Sequence, residues 1–231
     1  MQKIAIMGAM PEEISPILEK LGEYTTTEYA DNKYYEASYK GVELVIAYSK
    51  IGKVFSTLTA TTMIQHFGAQ RLLFSGVAGA ISDTLKVGDL VVATKLSQHD
   101  LDITAFGHPF GFVPEGAVYV EADKKMIEMS KEVARSMGKT VQEGIIATGD
   151  QFVANEERKN WIGNTFNAAA LEMEGASVAV VCNALNIPFF ILRAISDAAD
   201  MGASFSFDEF LETSAVESAE FVMKMVDKII E

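Results

Sequence analysis

Lys3-Ile4-Ala5-Ile6-Met7-Gly8-Ala9-Met10-Pro11-Glu12-Glu13 is the stretch that decides the fold class. Lys3 to Met7 reads as a buried strand, because the run is apolar on both alternating faces. Gly8-Ala9-Met10 is a turn. Pro11 suits the first turn of a helix running to about Leu21, since proline has no N–H to lose there. A strand, a tight turn and a helix in succession form the building unit of α/β proteins.

The pattern continues outward. Thr25 to Ser49 holds β-rich runs broken at Asp31-Asn32 and Lys40-Gly41, which predicts antiparallel hairpins. A helix is expected from about Lys53 to Phe67. Arg71 to Phe74 reads as a strand ending in a small-residue turn, Ser75-Gly76-Val77-Ala78-Gly79. Asp89 to Thr94 is another strand, and Gln98 to Gly116 is a long loop without periodicity. A helix from about Asp123 to Met137, a strand over Gly144 to Thr148, a helix over Glu174 to Ala184 and a strand over Pro188 to Ile195 follow. Ser206 and Glu209 have capping-box spacing for the last helix. Its stripe Phe210, Leu211, Ala215, Ala219, Val222, Val226, Ile229 reads as core. The hairpins make the sheet mixed rather than purely parallel. With no repeat, low-complexity segment or Pro/Ser-rich linker, one domain over residues 1–231 is expected.

The 231 residues carry a formal net charge of −13. That disfavours a nucleic-acid surface, which needs a basic patch, and an anionic membrane surface. A neutral or cationic small substrate fits better. A single cysteine, Cys182, excludes a disulfide framework and predicts a reducing cytoplasm. Its apolar neighbours predict a buried structural thiol. No apolar run approaches membrane-spanning length, and the short N-terminal apolar stretch lacks a secretory cleavage pattern.

Several chemistries are unsupported. Gly76-Val77-Ala78-Gly79 is G-x-x-G rather than a dinucleotide fingerprint, and Gly52-Lys53 lacks the rest of a P-loop. There is no G-x-S-x-G elbow. His99-Asp100 with Asp102 matches no standard metal spacing, so these groups are expected to organise a loop; no metal or other cofactor is predicted.

Acidic residues remain. Glu172 and Glu174 flank Met173 inside the apolar stretch Ala168 to Val181, where a carboxylate is costly unless paired or hydrogen-bonded. Asp197 follows an apolar strand at its carboxyl end, where α/β proteins bind ligands. Glu12 and Glu13 follow the first turn. Each has a bland alternative. Glu12 and Glu13 suit a helix N-terminus, Asp197 suits a cap, and Glu174 is a candidate partner for Arg193. Together they resemble the equipment for glycosidic cleavage, whose oxocarbenium-like transition state calls for ionised and protonated acids side by side.

An ordered set of segments then becomes informative: residues 8–13, Ser49-Lys50-Ile51-Gly52-Lys53, residues 75–79, His99 to Gly107, Gly149-Asp150-Gln151-Phe152, Glu172-Met173-Glu174-Gly175-Ala176, Arg193-Ala194-Ile195-Ser196-Asp197 and Ser206-Phe207-Asp208-Glu209-Phe210. Over nearly the whole chain this set resembles the 5′-methylthioadenosine/S-adenosylhomocysteine nucleosidase family. The resemblance implies a three-layer α/β/α, nucleoside phosphorylase-like fold, a homodimer and a small nucleoside substrate.

It also implies roles. Glu13 would activate water, Asp197 would protonate purine N7, and Glu174 would bind the ribose hydroxyls with Met173 packed on the sugar. Phe152 would stack on the base and Val153 would offer it backbone hydrogen bonds. Met10, Ile51 and Phe207 would line the ribose and 5′ region, beside Ala78, Gly79 and Glu172. Ile103, Phe106 and Pro114 would complete the 5′ pocket of the neighbouring subunit. Arg193 and Ser196 would support the carboxylates. Without the resemblance, Met10, Ile51, Ile103, Phe106 and Phe207 read as ordinary core.

Val77 departs from the Ser that many relatives carry there. The Val-Ala-Gly version, with residues 149–153 and 108–112, resembles members that also cleave 6-amino-6-deoxyfutalosine in menaquinone synthesis. The rival on the same fold is a purine nucleoside phosphorylase. Phosphate needs cationic clamps, and the chain has only Arg71, Arg135, Arg158 and Arg193. A non-catalytic nucleoside-binding protein is the rival from another class.

Overall fold

The computed structural model describes residues 2–200 and 202–231. β1 (Lys3–Gly8) leads into α1 (Pro11–Leu21), as the opening stretch predicts. β1 pairs in parallel with β4 (Val42–Tyr48) on one side and β5 (Arg71–Phe74) on the other. Its residues Ile4 to Met7 are fully buried, which explains the lack of alternation. β2 (Thr25–Tyr29), β3 (Asn32–Tyr39) and β4 form the expected antiparallel hairpins. The first hairpin turns one residue earlier than predicted, because Ala30 and Asp31 take the left-handed backbone that a tight hairpin demands.

α2 (Lys53–Gln65), β6 (Val77–Ala80), β7 (Leu90–Gln98), β8 (Val120–Glu121), α3 (Lys124–Ser136), β9 (Val141–Thr148), α4 (Glu156–Phe166), β10 (Ala168–Glu172), α5 (Gly175–Ala184), β11 (Phe189–Asp197) and α6 (Ala203–Ile230) complete the order. The strands form one mixed sheet in the order β2-β3-β4-β1-β5-β11-β6-β10-β9-β7-β8. β11 also pairs antiparallel with β7, so that end of the sheet closes on itself into a small barrel. α1 and α3 each pack on α6, and α2 packs on α5. This is the nucleoside phosphorylase-like, mixed-sheet α/β fold. Among the described residues no helix is long and apolar enough to cross a membrane.

Four expectations need correction. Val77 to Ala80 is a strand, not a turn; only Ser75-Gly76 separates it from β5. α4 and β10 are additional elements. α6 begins at Ala203 after Gly202, so Ser206 and Glu209 lie within the helix and cap nothing. Its stripe is fully buried at Ala215, Ala219, Val222 and Val226, but only partly at Phe210, Leu211 and Ile229. In the long loop Phe106 is exposed, while Phe110 packs edge-on against Trp161 and Phe112 stacks on His108.

Candidate active site

The carboxyl ends of β1, β4, β9, β10 and β11 converge on a cavity of about 290 Å³, with β6 crossing beside it. A cavity of that size matches a nucleoside-sized ligand. Its wall includes Met10, Ile51, Ala78, Gly79, Phe152, Val153, Met173, Ser196 and Phe207, all expected from the sequence. Ala9, Val77, Gln151 and Leu171 were not expected. Four carboxylates reach this lining, Glu13, Glu172, Glu174 and Asp197, and all four side chains are buried.

Glu13 sits in the first turn of α1 and bends back over the helix N-terminus. Its Oε2 accepts from Ala9 N–H at 2.5 Å and Met10 N–H at 3.0 Å, and Oε1 accepts from Val77 N–H at 3.0 Å. Glu12, one residue earlier, is exposed. Burial raises the Glu13 pKa above its ordinary 4.5, against the opposing pull of Arg193 and the three amides. The Val77 contact is made by the backbone, so this hold on Glu13 does not depend on the side chain at that position. Gly76 makes room for it: a Cβ there would lie 2.8 Å from Glu13 Oε1 and 2.7 Å from Arg193 Nη1.

Glu172 ends β10 and is the anchor of the cluster. Its Oε2 accepts from Arg193 Nη2 at 2.6 Å, Gly175 N–H at 2.7 Å and Glu174 N–H at 3.1 Å, while Oε1 accepts from Thr148 Oγ1 at 2.5 Å. Arg193 is therefore the partner of Glu172 and not of Glu174. It lies beneath the cavity rather than in its wall, 1% exposed, with its guanidinium 4.0 Å from the centre of the Phe74 ring. Stacking and a carboxylate partner compensate for burying the charge.

Glu174 carries no such partner. Gly52 N–H donates to its Oε1 at 2.9 Å. Burial first, and then the neighbouring Glu172 charge, push its pKa up to about 8. Asp197 at the end of β11 accepts from Ala199 N–H at 2.8 Å and Ser196 Oγ at 2.9 Å. Burial raises its pKa too. The cluster thus mixes a bound anion, Glu172, with acids whose environment favours keeping a proton, the pairing that acid–base chemistry at neutral pH needs.

The remaining sequence candidates lie outside this cavity. Ile103 is half-buried, Phe106 is 80% exposed and Pro114 is exposed, all on the loop after β7. Among the described residues no three His, Cys, Asp or Glu side chains gather into a metal-binding group. Asp102 instead accepts from Thr104, Asp100 from Lys53 and Asp150, and His99 is buried beside Arg158. Cys182 is buried in α5 with its thiol pushed up to about 12, an unreactive structural position.

Sequence reasoning missed the amides of Ala9, Gly52 and Val77 and the hydroxyl of Thr148. Backbone donors leave no mark in residue type. The only signal was the small-residue character of Gly8-Ala9 and Gly76-Val77.

A nucleoside-sized cavity with acids on a nucleoside phosphorylase-like sheet defines a class: enzymes that cleave the bond between a base and its ribose. Residues 3–231 match the family model described as the phosphorylase superfamily, and the chain belongs to it. The aminodeoxyfutalosine nucleosidase of Campylobacter jejuni is 58% identical over 99% of this chain and 100% of its own. The 5′-methylthioadenosine/S-adenosylhomocysteine nucleosidase of an Exiguobacterium species is 38% identical, covering 98% of both chains. The structure of the Helicobacter pylori 5′-methylthioadenosine/S-adenosylhomocysteine nucleosidase with butyl-thio-DADMe-Immucillin-A superposes with a TM-score of 0.97, at 51% identity over 99% of each chain. Within the superfamily the chain is a nucleosidase, an N-ribosyl hydrolase acting on adenosine derivatives.

Proposed function

We propose that the protein hydrolyses 5′-substituted adenosines: 5′-methylthioadenosine, S-adenosylhomocysteine, 5′-deoxyadenosine and 6-amino-6-deoxyfutalosine. The observation that carries this reading is the set of buried acids, Glu13, Glu174 and Asp197, gathered in one largely apolar cavity. Inclusion of the futalosine side chain draws on the 58% identity to the Campylobacter enzyme of that name, and inclusion of methylthioadenosine on the 51% identity to the Helicobacter pylori nucleosidase structure.

In this mechanism Asp197 gives its proton to purine N7 as the C1′–N9 bond breaks and its electrons pass into the base. Positive charge develops on the ribose. Glu13 takes a proton from water as the oxygen adds to C1′, so that the products are adenine and the 5′-substituted ribose. Three amides aim Glu13 while burial raises its basicity. Glu174 binds the ribose hydroxyls, with Met173 against the sugar. Phe152 stacks on the base, Val153 presents its backbone, and Met10, Ile51 and Phe207 line the 5′ side. Ile103, Phe106 and Pro114 complete that side from the second subunit of a homodimer; the 80% exposure of Phe106 supports this. The chain functions as one domain in the cytoplasm. Water rather than phosphate is the nucleophile, since among the described residues no Arg, Lys or His lines the cavity and Glu13 repels an anion.

The test is adenine release without phosphate. Glu13→Gln and Asp197→Asn are each expected to lower kcat by about two orders of magnitude or more, while ligand binding falls much less. Near-normal release by both variants overturns the mechanism. Absolute dependence on phosphate overturns hydrolysis. Comparing kcat/KM over the four substrates tests which 5′ groups are accepted.

A further inference from the structure

His99-Asp100 takes no part in the chemistry above, yet its contacts reach both sides of the site. Asp100 Oδ1 accepts from Lys53 Nζ at 2.7 Å, and Oδ2 accepts from Asp150 N–H at 2.9 Å. Asp150 Oδ1 accepts from Lys53 N–H at 2.8 Å, closing a three-residue ring. Lys53 opens α2, and the residue before it, Gly52, donates its N–H to Glu174. Asp150 begins the loop that carries Phe152 and Val153. Behind that loop the His99 ring lies against bare backbone: a Cβ on Gly149 would sit 2.3 Å from His99 Cε1. The ring is 1% exposed and its Nδ1 faces Arg158 Nη2 at 3.3 Å. The Lys53 and Asp100 side chains are under one-fifth exposed, so their ion pair is only partly screened.

We propose that Lys53, Asp100 and His99 are positioning residues that hold two arms of the site in register. One arm is the start of α2, which presents Gly52 N–H to Glu174. The other is the loop Gly149–Val153, which carries the base contacts. This rests on the assignment of Glu174 to the ribose and of Phe152 and Val153 to the base.

The carboxylate of Asp100 is suited to the task. It binds a cation from one arm and an amide from the other, and charge-assisted bonds are the directional ones. Without the Lys53 ammonium, the largely buried Asp100 carboxylate loses its cationic partner and the link that its side chain makes between the two arms is cut. Misplacement of substrate-holding groups by about 1 Å costs on the order of 100-fold in rate.

The experiment measures kcat, KM and the product-inhibition constant of adenine for Lys53→Met, Asp100→Ala, Asp100→Asn and the double variant K53M/D100A, with 5′-methylthioadenosine as substrate. K53M and D100A are expected to lower kcat/KM by about 10- to 100-fold and to weaken adenine. The double variant should be no worse than the worse single, because both open the same ring. D100N keeps an acceptor for the Asp150 amide and should fall between the parent and D100A. Single variants within about twofold of the parent overturn the proposal. So do losses that multiply in the double variant, or losses that follow melting temperature with adenine affinity unchanged. Where K53M does not fold, Lys53→Arg and D100N carry the test: K53R should retain activity and D100N lose part of it, and the reverse order overturns the proposal. E13Q and D197N in the same assay separate the two readings, because their inactivity upholds the reaction whatever the Lys53 and Asp100 variants do.

Discussion

Replacing Glu174 with Gln tests the electrostatics of the site through the stability of the whole protein. The Glu174 carboxyl is buried, and desolvation followed by the Glu172 charge lifts its pKa from 4.5 to about 8. In the unfolded chain it titrates normally. Between those two values the folded protein holds a proton that the unfolded chain has released. Stability therefore falls as pH rises through this window, and it is fully present only below the lower pKa. At about 1.4 kcal/mol per unit, the loss between roughly pH 5 and pH 8 is about 3 kcal/mol.

Gln has the same shape, still accepts from Gly52 N–H and does not titrate, so E174Q lacks this penalty. Any constant cost of the substitution cancels when its stability gap from the parent is compared at two pH values. Urea unfolding followed by the fluorescence of Trp161, the only tryptophan, measures the gap at fixed protein concentration. Relative to the parent, E174Q should gain about 3 kcal/mol between roughly pH 5 and pH 8. A gap that changes by less than about 1 kcal/mol refutes the claim that this carboxyl folds with its proton.

Arg193→Met strands the buried Glu172 carboxylate and should cost about 3–5 kcal/mol of stability; Arg193→Met with Glu172→Met should recover much of it, read from the same urea midpoints. A full-strength single variant refutes the pairing. Gly79→Ala places a Cβ 2.8 Å from Asp197 Oδ1 and 3.1 Å from Ala199 Cβ, so Asp197 must shift and kcat should fall about tenfold or more; an unchanged kcat refutes the role given to Asp197. Phe106→Ala should raise KM for substrates with bulky 5′ groups and leave adenine inhibition unchanged if this residue serves the neighbouring subunit; sedimentation showing a fully active monomer defeats that assignment.

Much of the frame is legible in the sequence because its signals are local. The apolar run of β1, Pro11 at the head of α1 and the Lys40-Gly41 turn each act within a few residues. β10 is not legible, since Ala168-Ala169-Ala170-Leu171 has no β-branched residue and its strand state comes from pairing with β6 and β9. β6 is hidden by its small residues: Val77-Ala78-Gly79-Ala80 looks like a turn until β10 and β11 flank it. α4 buries only Ile162 and Phe166, too weak a stripe to announce a helix, although Asn155 caps it by accepting from Arg158 N–H. In the site, acids at strand ends stand out because burying a carboxylate is costly. Which acid Arg193 neutralises does not, because that depends on how β10 and β11 are brought together in the folded sheet.

The choice of Glu172 as that partner organises everything else in the cavity. One guanidinium serves four carboxylates, and the donors around Glu172, a cation, two amides and a hydroxyl, fix it as the resident anion. Glu174 is raised by burial and then by that neighbouring charge, whereas Glu13 and Asp197 are raised by burial itself. The same neighbouring charge favours the positive charge that develops on a ribose as its base departs. Had Arg193 paired with Glu174, Glu174 would be ionised and fixed. Placing the cation beneath Glu172 instead leaves Glu174 able to retain its proton beside the sugar, while burial favours a proton on Asp197 for the purine.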